Sequence, residues 1–112
     1  MYHSSDYDNS LLLLKKQSEK VTERYLFDET KRIGGLPLKL IPQFFSGIPD
    51  RLCLFPGGRL FFIETKSEKD KPRKLQLLVH KQLRDLGFKV LVIDTKEKVK
   101  ELIDEIERER PS

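Results

Sequence analysis

A chain of 112 residues with 38% hydrophobic and 36% charged residues, formal net charge +4 and a mean hydropathy of -0.51 is one domain's worth of protein with a heavily charged surface. That composition excludes disorder, collagen and a membrane-spanning protein. Leu11 to Leu14 is too short and lacks the basic leader of a secretory signal, so the expected location is the cytoplasm. The single cysteine, Cys53, forms no internal disulfide, and His3 and His80 beside it make no zinc ligand set, so any metal must sit on oxygen.

The first periodic segment, Ser10 to Ile33, places Val21, Tyr25, Leu26, Glu29 and Ile33 near helical spacing and stops at Gly34-Gly35. Leu38 to Ile41 reads as a short strand between Pro37 and Pro42, and Gln43 to Pro49 as a loop. Leu52 to Phe55 and Leu60 to Ile63 form a hairpin through Pro56-Gly57-Gly58, the second run apolar on both faces and hence a central strand. Leu75, Leu78, Val79, Leu83 and Leu86 trace a helical stripe that Gly87 ends. Phe88 to Ile93 is another buried strand. Asp94 with Glu97 has the form of a capping box for a last helix through Val99, Leu102, Ile103 and Ile106. The order is α-β-β-β-α-β-α, an α/β fold whose helical crossover makes the third and fourth strands parallel in a mixed sheet flanked by helices.

Charge is uneven along the chain. Residues 51 to 89 carry ten Lys/Arg against four acids, while residues 96 to 110 alternate five bases with six acids as a solvated helix face does. A phosphate-bearing partner is favoured, with Arg51, Lys69, Lys71, Arg73, Lys74, Lys81 and Arg84 as the expected phosphate-binding surface. His80 reads as structural or solvated.

Glu64-Thr65-Lys66 closes the central strand and puts a carboxylate and an ammonium on one face. If the turn holds three residues, the hairpin register sets Asp50 opposite Glu64. Directly opposed carboxylates, with Cβ atoms ~5 Å apart, repel unless a cation lies between them. A two-residue turn would put them on opposite faces. Mg²⁺ suits such all-oxygen ligation, with the Thr65 carbonyl as a further ligand, Mn²⁺ as a substitute and no organic cofactor.

Gly47-Ile48-Pro49-Asp50-Arg51-Leu52, then Phe62-Ile63-Glu64-Thr65-Lys66, then Gln76 and Leu83 to Gly87, resembles the VRR-NUC (virus-type replication-repair nuclease) family of the PD-(D/E)XK superfamily. The resemblance spans residues 19 to 93, leaving 1–17 as an extension and 94–112 as a C-terminal helix of one nuclease domain. It implies a restriction-endonuclease-like fold and Mg²⁺- or Mn²⁺-dependent DNA hydrolysis. Glu23, Asp50 and Glu64 then match acidic metal-site residues, Lys66 the catalytic lysine, Gln76 the helix glutamine beside them and Lys39 a first-strand lysine. Short members resemble phage or bacterial homodimers that act on branched DNA such as Holliday junctions. Phe44, Phe45 and Leu11 to Leu14 are the expected dimer contacts. Flap or duplex cleavage, a non-catalytic DNA-binding module of the same fold, and an interaction subunit are the competing readings.

Overall fold

The computed structural model describes residues 4–41, 45–68 and 70–110, with the side chains of 4–12 and 15–17 outside the description. Elements follow as α1 (Ser4–Arg32), β1 (Leu36–Lys39), β2 (Arg51–Phe55), β3 (Arg59–Thr65), α2 (Lys74–Asp85), β4 (Lys89–Ile93) and α3 (Lys96–Arg108), in the expected order. Helix α1 begins six residues before the expected Ser10, since no proline or glycine interrupts Ser4 to Arg32. Its buried line is Thr22, Leu26 and Thr30, continued by Ile33 just past its end, while Val21 is half exposed.

Strand β1 starts two residues earlier than the sequence suggests and includes Pro37, which pairs with Cys53. Proline is tolerated there because β1 is an edge strand, where a missing N–H removes no ladder bond on the open side. The sheet order is β1-β2-β3-β4, antiparallel for the first two pairings and parallel between β3 and β4. Phe55 opposite Arg59 and Arg51 opposite Ile63 confirm the three-residue turn and the register expected for the hairpin.

Alternation along the strands divides the molecule into two layers on the sheet. Cys53, Phe55, Phe61, Ile63 and Ile93 face α1 and α3, where Leu26, Ile33, Val99, Leu102, Ile103 and Ile106 complete the main core. Burial in that core pushes the Cys53 thiol up to about 11, so it is an unreactive packing group. Residues of the other parity face α2, which buries only Val79 and His80. Leu75, Leu78 and Leu86 of the expected stripe are about half or more exposed, as is Leu77. One edge of the amphipathic face meets the sheet and the rest looks outward. The cap of α3 also differs from expectation. Thr95 accepts from Lys98 N–H at 3.2 Å as the N-cap, and Asp94 pairs with the Lys98 ammonium at 2.8 Å.

Candidate active site

The charged cluster lies where β2 begins and β3 ends, at the edge of the hairpin ladder. Asp50 sits just before β2, its carbonyl accepting from Leu40 N–H at 2.9 Å beyond the end of β1. Pro49 before it is fully buried, which anchors the chain where the carboxylate emerges. Asp50 Oδ1 accepts the Thr65 main-chain N–H at 2.9 Å, and Oδ2 lies 2.5 Å from the Thr65 hydroxyl. That hydroxyl is also 3.1 Å from Glu23 Oε1, so one threonine links α1 to the start of β2.

Glu23 and Glu19 stand one turn apart on α1, an i,i+4 pair of like charges that disfavours an isolated helix. With Asp50 they form a set of three carboxylates, one oxygen from each lying within 4.8 Å of the others. Burial, with Glu23 and Asp50 nearby, pushes the Glu19 carboxyl up from its ordinary range. Arg51, on the α1 face of β2, offsets part of this charge through a 3.0 Å ion pair with Glu23.

Glu64 points the other way across the sheet, toward α2. It is only 3% exposed, and burial together with Asp50 pushes its carboxyl up to about 7, Lys66 opposing the shift. His80 Nε2 lies 3.4 Å from Glu64 Oε1, and burial, then the charges of Arg84 and Lys66, hold the imidazole below its ordinary pKa. The neutral ring is therefore the form to consider.

The expected register is present, but the expected meeting of Asp50 and Glu64 alone is not what the side chains do. Asp50 lies one residue outside the paired ladder, so the pleat does not fix its direction, and it turns to Thr65 and the α1 acids. Glu64 falls outside the 4.8 Å set while remaining close enough for the Asp50 charge to raise it. Gln76 is half-buried at the first turn of α2, where its Oε1 accepts Arg73 N–H at 2.8 Å and so closes the helix start. Arg51 is turned inward to Glu23 rather than outward to a phosphate, because a carboxylate within reach in a half-buried setting outcompetes solvent. Lys81 is exposed but paired with Asp85 at 2.7 Å, and Arg84 donates to the Val90 carbonyl. Lys39, Lys71, Arg73 and Lys74 are exposed, with Lys39 at the end of β1 nearest Asp50. Lys69 and Phe44 lie outside the described residues.

Two participants escape a reading of the sequence alone. Glu19 looks like one more solvated helix acid, although its i,i+4 spacing from Glu23 beside buried Thr22 and Leu26 was the available signal. His80, one turn after Gln76 and next to Val79, is fully buried against Glu64.

No family model matches the chain. The chain is 37% identical over 79 residues to "Putative nuclease p44" of Acyrthosiphon pisum secondary endosymbiont phage 1, across 70% of its own length and 85% of that protein. A solved structure described as a VRR_NUC domain superposes with a TM-score of 0.72 at 34% identity, covering 78% of this chain and 95% of that one. Agreement of that extent in both sequence and backbone, over the segment that carries Asp50 and Glu64-Thr65-Lys66, means that the chain belongs to the VRR-NUC family.

Proposed function

We propose that the protein is a Mg²⁺- or Mn²⁺-dependent DNA endonuclease of PD-(D/E)XK type, acting on branched DNA such as four-way junctions. The observation that carries this reading is the convergence of Glu19, Glu23 and Asp50 at the strand end where Glu64 and Lys66 flank Thr65. The residues fit a hard divalent cation. Every donor is an oxygen, and Asp50 and Glu19 each raise the proton affinity of Glu64, a mutual repulsion that a cation relieves. Asp50, Glu64 and the Thr65 carbonyl would hold the ion, with Glu23 and Glu19 beside them.

When bound, such an ion would polarise the scissile phosphate and make a water more acidic. Lys66 orients that water and offsets the charge that accumulates on phosphorus oxygens in the transition state. Thr65 holds Asp50 in place through its N–H and hydroxyl, and Arg51 holds Glu23. Lys39, Lys71, Arg73 and Lys74 grip backbone phosphates without reading sequence.

A two-fold homodimer completes the reading, since paired cuts in a junction need two sites related by symmetry. Exposed Leu75, Leu77, Leu78 and Leu86, with Phe45, Leu13 and Leu14, support it as apolar surface of the kind that dimers bury.

The test is a panel of labelled junction, flap, duplex and single-stranded DNA with and without Mg²⁺. Junction cutting should require the metal and should be abolished by Asp50→Ala, Glu64→Ala or Lys66→Ala while DNA binding persists. Undiminished cutting by any of the three refutes the assignment. Selective cutting of flaps or duplex replaces the junction reading, and binding without cutting by the unaltered protein identifies a non-catalytic module.

A further inference from the structure

The α2 face of the sheet holds a contact to Glu64 from a histidine that the proposed chemistry does not use. His80 is 0% exposed, and its Nδ1 is buried without a hydrogen-bond partner among the described residues, while Nε2 lies 3.4 Å from Glu64 Oε1. Among the described residues His80 is the one hydrogen-bonding partner of the Glu64 side chain. A buried nitrogen left unpaired is costly, and leucine would fill similar space without that cost. An imidazole that carries such a cost at this position is explained by what its other nitrogen does.

Metal-binding carboxylates are held in orientation by hydrogen bonds from outer residues, whose loss weakens metal affinity. A carboxylate that binds a cation is ionised and only accepts, so in that state a neutral His80 carries its ring proton on Nε2 and leaves Nδ1 as the unpaired acceptor. Helix α2 supplies the reach. Val79 is buried beside His80, and Gly47, with φ +86, lies so close that an added Cβ would stand 3.0 Å from Leu75 and Val79 side-chain atoms. That packing fixes the helix over the strand end and with it the distance from ring to carboxylate.

We propose that His80 is a positioning residue for the metal site: its Nε2–H fixes the Glu64 carboxylate through Oε1 and leaves the second oxygen to the cation. The inference rests on the metal-dependent reading above. It adds a residue on α2 that touches neither metal nor DNA and acts through Glu64.

Calorimetric titration of Mn²⁺ into the unaltered protein, His80→Leu and His80→Gln tests it without reference to cleavage. His80→Leu should bind Mn²⁺ about 10- to 100-fold more weakly than the unaltered protein. His80→Gln, which returns an N–H near the Nε2 position, should recover part of that affinity, whereas His80→Asn, whose amide stops near the Nδ1 position, should not. In a Glu64→Gln background, His80→Leu should cause no further loss.

Unchanged Mn²⁺ affinity in His80→Leu overturns the role of His80 alone. The same loss with Glu64 already replaced overturns it too, since the effect would then be structural. If His80→Leu does not fold, equal affinities for the Gln and Asn variants overturn it. Absence of Mn²⁺ binding to the unaltered protein overturns the metal-site reading itself, and the role of His80 with it.

Discussion

Replacing Glu64 by glutamine in the metal-free protein should stabilise it, and by an amount that depends on pH. The Glu64 carboxyl titrates at about 7 in the fold against an ordinary value of 4.5. At about 1.4 kcal/mol per pH unit, holding it ionised costs the folded state about 3 kcal/mol. With 3% exposure the group is little screened by solvent. The folded value lies above the unfolded one, so the native state binds the extra proton between them. Stability associated with this group is full below pH 4.5, falls through the interval, and levels off above pH 7. Glu64→Gln keeps the shape and the hydrogen-bonding capacity toward His80 while removing the titration. Urea unfolding in the presence of a chelator should show a gain of about 3 kcal/mol at pH 8 and about 1 kcal/mol at pH 5. Saturating Mg²⁺ should then reverse the order at pH 8, because the ion stabilises only the form that binds it well. An equal change at both pH values, or a loss of stability at pH 8, would refute the account of Glu64 as a carboxylate kept charged against its surroundings.

Two further outcomes test the frame and the assembly. Gly35→Ala should destabilise by about 2 kcal/mol in the same assay, because an added Cβ would stand 2.7 Å from the Leu54 carbonyl and 2.9 Å from Thr30, where backbone on both sides blocks relief. Leu78→Asp combined with Leu86→Asp, at side chains 55% and 74% exposed, should leave folding intact and halve the mass seen by light scattering; a monodisperse monomer for the unaltered protein, free and on a junction, rejects the dimer.

The backbone was largely legible because its signals are local. The Pro56-Gly57-Gly58 turn fixes the hairpin register, and the helical run between two apolar strands fixes their parallel pairing. The errors arose where tertiary placement overrides pattern. Pro37 argues against a strand until β1 is known to be an edge, and the α2 stripe argues for burial until the sheet is seen to meet one side of it. At the site, the hairpin register places Asp50 just before β2 and Glu64 near the end of β3, which the turn length made legible, but not the directions their side chains take: Asp50 turns to Thr65 and Glu64 to His80. The parts of Glu19 and His80 were not legible, since their reach depends on how α1 and α2 lie across the sheet, which spacing does not encode.

Four carboxylates share one end of this sheet, and the fold compensates each by a different route. Asp50 has the N–H and hydroxyl of Thr65, Glu23 has the Arg51 guanidinium, and Glu64 has His80 and the charge of Lys66. Glu19, half-buried, has the charge of Lys66 as its one favourable influence, and its carboxyl is pushed upward. The compensation comes from main-chain and side-chain groups placed by β2, β3 and α2. What remains uncompensated is the repulsion recorded in the raised Glu19 and Glu64 carboxyls. That residual repulsion would favour a divalent cation at this strand end, which is what the proposed metal-dependent cleavage needs.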